Sequence, residues 1–514
     1  MKKTIALLLC LLLTFGSVSL TALAEAEPVT LTMFVDETWW PYHDWSGDMP
    51  RWFTEQTGVQ FDVSVAADIT ELDMMVASGS YPDVIVSPDF NLLSNSGVCY
   101  DWDTLLETYN IDAAIHPAYK FVNQAADGKM YTIMVGWSAD YEYDQYPDVN
   151  PEGVMLTARE DLLNECLAEL GLETLTTVEQ LEACFDLIQK NHPEVIPFAS
   201  LPLSNVDPWL YAYYGAAYKG LGIDGDRAQA WINMPGIKDA LLTMNRWVQK
   251  GYMSKENFSW TSNDTMYGYA YSGNVFVQGA LTNAAALADE GSAKAGTNYS
   301  FVPLTDLKSD SSAIYTTATG WRGFFITKNC SNPEAAMKAA LALYSKDIGY
   351  SMLWGKEGED WNWNEDKTIA SFNYDVTLDA DLRDQRQLWW GWLGHDGISN
   401  NMAYAANPKT REALRWVGSI NHREPVLGLI MNSLDADSRE YVIYQQLQEL
   451  EDNYTVRIAM APNAEEAEAL YTEMLSIAGQ IGVDQFEAWA NERYAELSDA
   501  YEAVRYIGAE GWEK

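Results

Sequence analysis

Residues 29–35 (VTLTMFV), 59–65 (VQFDVSV) and 83–86 (DVIV) decide the fold class of this chain. Each is a short run of alternating or continuous apolar residues, a pattern typical of β-strands. Two helix-like segments, Met49–Gln56 and Ile69–Ser78, separate these runs. Strands that alternate with helices favour a mostly parallel sheet covered by helices, so the sequence predicts an α/β fold.

Further elements of both kinds follow along the chain. No repeat of fixed period and no low-complexity linker divides the sequence, so a string of separate domains is not indicated. The predicted elements are the helices Glu160–Leu170, Val178–Lys190, Gly236–Gln249 and Pro333–Ser345, the strands Asn274–Val277 and Gly323–Thr327, and a helical stretch Ala464–Val504.

The N-terminus has the three parts of a secretory signal peptide. Lys2–Lys3 precede the apolar run Ile5–Phe15, and the small-residue triplet Ala22–Ala24 follows it. Residues 1–24 are therefore predicted to be removed on export. The mature protein is expected to be extracellular or associated with the cell envelope, and periplasmic if the source has an outer membrane. Cys10 lies inside the apolar run, so lipid attachment to it is not expected.

The composition predicts a large, acidic, globular protein. Apolar residues make up 48% of the 514 residues and aromatic residues 13%, enough to form large cores. A formal net charge of -42 disfavours nucleic acid and anionic membrane surfaces as partners. No later segment is apolar enough to insert into a membrane. Nothing indicates a dedicated subunit interface, so a monomer is the default expectation.

Four cysteines follow the predicted signal peptide, namely Cys99, Cys166, Cys184 and Cys330. Their spacing does not form a disulfide framework, and the five histidines do not combine with them at zinc-site spacing. Buried free thiols are the default expectation, and one bridge between Cys166 and Cys184 is left open. No metal or other cofactor is predicted.

Aromatic residues are the strongest chemical signal, with 20 tryptophans and 30 tyrosines. Many lie in predicted loops beside strands or helices rather than on apolar helix faces. A flat ring can stack on the C–H face of a sugar ring, although any single tryptophan more often belongs to a core. The tryptophans predicted to contact a ligand are Trp39, Trp40, Trp137, Trp209, Trp321 and Trp389.

Charged side chains lie close to several of these tryptophans in the sequence. A carboxylate accepts hydrogen bonds from two hydroxyl groups and a guanidinium donates a fixed fork, so such residues can orient a sugar. The predicted polar site residues are Glu37, Asp89, Asp207 and Arg322. The same residue types could also form the carboxylate pair of a secreted glycoside hydrolase. However, the sequence has no serine-hydrolase, metalloprotease or phosphate-loop motif.

Four segments occur in a characteristic order along the chain. They are Ala77-Ser-Gly-Ser-Tyr-Pro-Asp-Val-Ile85, Asp127-Gly-Lys-Met-Tyr-Thr-Ile133, Arg159–Leu181 and Ile326–Met337, the last of which contains Asn-Pro-Glu-Ala-Ala. Together they resemble the extracellular solute-binding proteins of family 1, in particular the long members similar to the lipoprotein LplA. Met134 departs from the family pattern, in which proline is common at this position, and no lipid-attachment cysteine is recognised.

The resemblance implies a two-lobed α/β fold of the type II periplasmic-binding-protein kind, with interleaved lobes joined by a hinge. The expected boundaries are 29–135 plus 318–366 for the first lobe and 136–317 plus 367–514 for the second. The resemblance also implies a protein that is not an enzyme. Such a protein captures a carbohydrate, with an oligosaccharide favoured, and delivers it to the permease subunits of an ABC transporter. A protein that binds peptides or amino acids is the remaining alternative.

Overall fold

The computed structural model of the protein describes residues 27–95, 97–113, 115–146, 149–201, 208–217, 219–365, 367, 370–375, 379–435, 437–505 and 507. The predicted signal peptide, residues 1–24, lies outside the described residues, and so does Asp207. Within the described part, no helix is both long enough and apolar enough to span a membrane.

The strands of the described residues form two four-stranded sheets and three two-stranded ones. Each four-stranded sheet is the centre of one lobe. The strands are β1 (Val29–Val35), β2 (Val59–Val65), β3 (Val84–Ser87), β4 (Val154–Arg159), β5 (Ile196–Ser200), β6 (Leu221–Asp224), β7 (Arg227–Ala230), β8 (Val275–Leu281), β9 (Phe301–Pro303), β10 (Ile314–Thr316), β11 (Gly323–Ile326), β12 (Trp361–Trp363), β13 (Ala370–Phe372) and β14 (Asn421–Arg423).

Helices cover both lobes, and their ends follow local sequence signals. The helix Asp48–Thr57 ends at Gly58, whose φ of 71° favours glycine. At the start of Val178–Asn191, the Thr177 hydroxyl accepts a hydrogen bond from the Gln180 amide, and the Gln180 side chain accepts one from the Thr177 amide. The α-helices are Asp48–Thr57, Glu71–Ser78, Phe90–Asn95, Trp102–Thr108, Pro117–Val122, Asp140–Gln145, Glu160–Leu170, Val178–Asn191, Pro208–Tyr213, Ile237–Gln249, Asn263–Tyr271, Ala284–Lys294, Pro333–Leu343, Ile348–Trp354, Ala380–Arg386, Gly397–Ala405, Pro408–Ile420, Pro425–Asn432, Arg439–Met460, Ala464–Ile481 and Val483–Arg505, and the 3-10 helices are Trp231–Asn233, Lys255–Ser259 and Leu388–Leu393.

The first sheet has the strand order β11-β3-β1-β2. β1 pairs in parallel with both β2 and β3, whereas β11 pairs with β3 in the antiparallel direction. The strands predicted over residues 29–35 and 59–65 are confirmed residue for residue. The predicted helices 49–56 and 69–78 are also confirmed, because the observed ends lie within two residues of the predicted ones.

The second sheet has the strand order β5-β8-β4-β9. β5 and β8 are parallel, and β4 runs antiparallel to both β8 and β9. Each four-stranded sheet thus has three strands in one direction and one reversed strand, β11 in the first and β4 in the second. β11 begins directly after residues 316–322, whereas the helix Asp140–Gln145 precedes β4. The sequence predicts a mostly parallel sheet, and three of the four strands in each sheet do run in the same direction.

The chain passes from the first sheet to the second between β3 and β4 and returns between β9 and β11, and we call residues 134–136 and 316–322 of these connections the crossings. The two crossings run side by side, because the Val135 amide donates to the Arg322 carbonyl at 2.9 Å and the Trp321 amide donates to the Val135 carbonyl at 3.1 Å. Gly320 permits this approach. Its φ is 125°, and a Cβ atom there would lie 2.3 Å from Cβ of Met134. The lobe boundaries at 135 and 318 lie in these two segments and stay predictions.

The assignment of residues 367–514 to the second lobe stays a prediction, and one part of that range contacts the first lobe. Trp390, in the 3-10 helix Leu388–Leu393, packs with its ring centre 5.3 Å from that of Trp40 and 5.1 Å from that of Trp45. The C-terminal part of the chain therefore supplies packing to both lobes.

The four cysteines are free thiols. Cys166 and Cys184 lie on neighbouring helices, and the sulfur of Cys166 is 3.8 Å from the carbonyl oxygen of Cys184. The bridge that the sequence left open is not formed.

The buried carboxylate of Asp140 forms hydrogen bonds with two segments that are distant in the sequence. Asp140 is 2% exposed and begins the helix Asp140–Gln145. One of its oxygens accepts a hydrogen bond from Nε of Arg423 in β14, and the other accepts one from Nε of Arg505 in the last helix. The Tyr501 hydroxyl donates to the second oxygen at 3.2 Å. A buried charge of this kind is tolerated only with its partners in place.

We expect Asp140→Asn to lower the free energy of unfolding by about 2 to 4 kcal/mol, because the amide leaves Arg423 and Arg505 without their shared counter-charge. Urea unfolding followed by tryptophan fluorescence measures the change. The matched control is Asp103→Asn, which breaks an exposed pair with Lys120 of 2.8 Å and is expected to change stability by less than about 1 kcal/mol. Equal losses in the two variants would contradict the role given to Asp140.

Candidate functional site

A cavity of about 220 Å³ lies where the crossings between the lobes meet. Its walls come from residues 136–143, 151–152, 316–321, 395–401, 423–425 and 501. Segments far apart in the sequence therefore supply the lining, and the Asp140 carboxylate with its arginine partner Arg423 forms part of one wall.

Aromatic side chains form much of the cavity lining, including Trp137, Tyr143, Trp321 and Tyr501. The Trp137 ring meets the Tyr119 ring edge-on, with 4.9 Å between ring centres. The Trp321 side chain stays 37% exposed, which leaves an indole surface accessible. A flat apolar face of this kind can stack on the C–H face of a cyclic ligand.

The neighbours of Trp321 hold its ring at the cavity wall. Gly136 has a φ of 83°, and a Cβ atom at this position would lie 2.9 Å from Cδ1 of Trp321, so the glycine leaves room for the ring. Cζ of Arg322 lies 3.8 Å from the centre of the Trp321 ring. The Trp392 ring packs edge-on against the Trp321 ring, with 6.0 Å between the ring centres.

A tryptophan cluster, consisting of Trp39, Trp40, Trp321, Trp389 and Trp392, extends from the cavity to the protein surface. Trp389 and Trp392 are stacked, with ring centres 4.7 Å apart and an interplanar angle of 12°. Trp39 meets both of them edge-on at 6.2 and 6.3 Å and is itself 49% exposed. The cluster thus carries apolar surface outward from Trp321.

Arg322 organises this cluster from inside. Its side chain is fully buried, and Nη2 donates to Oε1 of Glu37 at 2.9 Å. The other Glu37 oxygen accepts a hydrogen bond of 2.5 Å from Nε1 of Trp39. The guanidinium also lies 4.6 Å from the Trp40 ring centre. Burial lowers the pKa of Arg322 to about 10, although the Glu37 charge opposes the shift, so the group stays cationic at neutral pH.

Glu152 is an acidic residue of the cavity wall that, unlike Asp140, has no arginine partner among the described residues. It lines the cavity together with Asn400 and Asn401, and no described basic side chain forms an ion pair with it. Burial raises the pKa of Glu152 to about 7. Its carboxyl group and the two amides can accept and donate hydrogen bonds to ligand hydroxyl groups.

His395 lines the same cavity and is 3% exposed. Burial, assisted by the nearby Arg322 charge, lowers the pKa of His395 to about 3, so the imidazole is neutral at physiological pH. Nδ1 has no hydrogen-bond partner among the described residues. Within that same part of the chain, no group of three or more His, Cys, Asp and Glu side chains is placed to hold a metal ion.

Two further acidic residues, Glu142 and Asp396, lie close to each other near the cavity wall. Glu142 is 1% exposed, and its Oε2 accepts hydrogen bonds from the Tyr119 hydroxyl at 2.6 Å and the Ala139 amide at 2.9 Å. Oδ2 of Asp396 accepts one from the Tyr350 hydroxyl at 2.8 Å. Burial, together with the nearby Asp396 charge, raises the pKa of Glu142.

The structure brings together part of the predicted set of site residues. Trp137 and Trp321 line the cavity. Trp39 and Trp389 lie beside it in the tryptophan cluster, and Glu37 and Arg322 support that cluster from within.

The remaining predicted residues do not line the cavity. Trp40 belongs to the tryptophan cluster but is only 2% exposed, and Trp209 is 0% exposed, so both rings are part of the core. Asp89 is exposed, and its Oδ1 accepts a hydrogen bond of 2.9 Å from the Leu92 amide, which is a helix-start role. Asp207 is outside the described residues.

Sequence reasoning missed Glu152, His395 and the pair Asn400–Asn401. His395 and the pair both follow closely on the tryptophans of Leu388–Leu393, which is a local signal that could have been used. Glu152 has no tryptophan nearby in the sequence, and only the meeting of distant segments shows its place.

The chain matches no protein-family model and no curated protein by sequence. Solved structures do match it over nearly its whole length. The alginate-binding protein AlgQ2 without calcium ion gives a TM-score of 0.65 at 17% identity, covering 91% of this chain and 98% of AlgQ2. The Streptococcus pneumoniae ABC-transporter substrate-binding protein FusA in complex with kestose gives 0.66 at 15% identity, covering 92% and 100%.

An HMO-binding, ABC-transporter-associated solute-binding protein from Bifidobacterium longum infantis gives a TM-score of 0.62 at 12% identity, covering 92% of this chain and 99% of that one. These likenesses show the fold. The chain has the two-lobed α/β fold of solute-binding proteins, with interleaved lobes joined at a hinge, as the sequence predicted.

We expect stability to depend on pH through Glu142. Its pKa is raised above the ordinary value of 4.5, so the folded protein holds the proton more tightly than the unfolded chain does. Stability therefore falls as pH rises from about 4.5 through the folded-state pKa. Glu142→Gln removes this titration, so the wild type should lose about 1 to 3 kcal/mol more than the variant between pH 5 and pH 8.

Urea unfolding at a series of pH values tests this expectation. The matched control is Glu55→Gln, an exposed position in the helix Asp48–Thr57, which should reproduce the wild-type pH profile. If the Glu142→Gln profile runs parallel to that of the wild type, the carboxyl group does not titrate as described.

Proposed function

We propose that the protein is an exported solute-binding protein that captures a carbohydrate between its lobes and delivers it to the permease of an ABC transporter. The observation that carries the proposal is the junction cavity, where Trp137 and Trp321 lie beside carboxyl, amide and hydroxyl groups. Stacking faces combined with paired donors and acceptors are what a ring bearing hydroxyl groups needs for binding.

The structural neighbours support a sugar as the ligand. AlgQ2 is an alginate-binding protein, FusA was solved with kestose, and the Bifidobacterium protein is HMO-binding. The ordered segments that resemble family 1 add to this support, and membership of that family is part of the proposal. So are the extracytoplasmic location and the permease partner.

The two crossings would serve as the hinge. The cavity lies against both crossings, because Gly136 and the segment 316–321 form part of its walls. A ligand that contacts both lobes would stabilise the closed form of the protein, and a permease can distinguish that form from the open one. This mechanism needs no covalent chemistry.

A glycoside hydrolase would need two available carboxyl groups in the cavity. Asp140 and Glu152 both line it. However, both oxygens of Asp140 are engaged by Arg423, Arg505 and Tyr501, so this carboxylate is poorly placed to act as a nucleophile or base. We therefore propose binding without hydrolysis.

Trp321→Ala is expected to weaken sugar binding about tenfold or more, because it removes a stacking face. A panel of mono- and oligosaccharides is first screened by thermal unfolding, since a ligand of the folded state raises the midpoint. The best ligand is then titrated calorimetrically. The control is Trp489→Ala, a half-buried tryptophan packed 5.8 Å from Phe486 on the last helix. Its affinity should stay within about twofold of the wild type.

Three results would contradict the proposal in different ways. Stabilisation by peptides or amino acids alone would exclude the sugar ligand. Release of reducing ends from the oligosaccharides would favour the hydrolase. Equal sugar affinity of the wild type and Trp321→Ala would exclude the Trp321 face from the binding site.

A further inference from the structure

Two further cavities adjoin the first along residues 316–320. One has about 310 Å³ and shares Glu152, Thr316 and Ala318 with the first cavity. The other has about 260 Å³ and shares Ala318 and Gly320 with it. Glu152 therefore stands at the boundary between the first two cavities. A ligand of more than one ring that occupies both cavities would lie against the shared residues, and Glu152 is the ionisable one among them.

The described basic side chains at these cavities already have acidic partners. Arg423 pairs with Asp140 in the first cavity. Nζ of Lys219, which lines the other two, lies 3.3 Å from Oδ1 of Asp452.

Two more nitrogen-bearing groups lie at or beside the first cavity. Arg322 pairs with Glu37 and is covered by indole rings, and the neutral His395 adds no charge. Among the described residues, no unpaired cation is available to a ligand in the three cavities.

Glu152 is the exception to this pairing of charges. Its carboxyl group lines two cavities and has no basic partner among the described residues. Burial, together with the nearby Glu152 charge, raises the pKa of Tyr267 and Tyr404, so both hydroxyl groups are neutral at physiological pH. An acidic ligand would therefore meet an uncompensated acidic group where it crosses between the cavities.

We infer that the site selects neutral oligosaccharides over their uronate counterparts, and that Glu152 is the residue that makes this distinction. The inference rests on the proposed sugar-binding function. Hydroxyl groups of a neutral sugar can donate hydrogen bonds to the Glu152 carboxylate. Once Glu152 is ionised, a sugar carboxylate in the same place would face a like charge in a partly dehydrated cleft, with no unpaired described cation to receive it. The net charge of -42 acts in the same direction at long range.

The test compares trisaccharides that differ only at C6. Mannotriose with trimannuronate, galactotriose with trigalacturonate, and cellotriose with its C6-oxidised form are titrated calorimetrically into the wild-type protein at about pH 8.5, where Glu152 is ionised because this pH lies above its raised pKa of about 7. The neutral member of the pair that binds should bind at least about tenfold more tightly than its acidic counterpart at low ionic strength. In Glu152→Gln this ratio should fall by at least about threefold, because the like charge is gone.

Glu173→Gln is the matched control. It changes the net charge by the same amount at an exposed position that lines none of the three cavities. It should keep the wild-type ratio.

Each outcome either supports or overturns the inference. Equal or tighter binding of a uronate by the wild type would overturn the selectivity and leave sugar binding intact. An unchanged ratio in Glu152→Gln would overturn the role of Glu152. If no member of any pair binds and the thermal screen of sugars is also negative, the proposed function fails, and the inference fails with it.

Discussion

The ion pairs between Asp140 and the two arginines Arg423 and Arg505 are the contacts on which the arrangement of the lobe junction depends. The paired residues are separated by 283 and 365 positions in the sequence. A buried carboxylate and its guanidinium partners stabilise the fold only as a complete set, because any one of them alone would be a charge removed from water. The position of the helix Asp140–Gln145 is thereby linked to β14 and to the last helix. Trp137, three residues before Asp140, is placed at the cavity by the same link.

A second buried charge, that of Arg322, holds the rings of the tryptophan cluster in position. Glu37 neutralises it, and the indole rings of Trp39, Trp40 and Trp321 surround it at 5.4, 4.6 and 3.8 Å. Cation–π contacts of this kind orient the rings as well as stabilising them. Since Arg322 belongs to the crossing that pairs with Val135, the orientation of Trp321 is coupled to the geometry of the hinge.

The sequence could predict elements whose signal is local. The strands 29–35 and 59–65, the helix Glu160–Leu170 and the α/β class follow from periodicity and caps, and the structure confirms them. Tryptophan exposure could not be predicted in the same way. Trp321 and Trp209 look alike as loop-flanking tryptophans in the sequence, yet one is 37% exposed and the other 0%. The difference arises because exposure depends on which distant segments pack over a ring.

The same limit explains the polar residues. Glu37 and Arg322 are predicted as ligand contacts because they neighbour tryptophans in the sequence. The structure places them 2.9 Å apart as an ion pair, and the second Glu37 oxygen accepts a hydrogen bond from Trp39. Glu152 has no ion-pair partner among the described residues, and the cations that line the same cavities, Arg423 and Lys219, pair with Asp140 and Asp452 instead. Charges that are already paired need not be rearranged when a ligand arrives. In such a site, Glu152, Asn400 and Asn401 are the groups that can form hydrogen bonds with a ligand. The aromatic rings beside them are held in position by other residues.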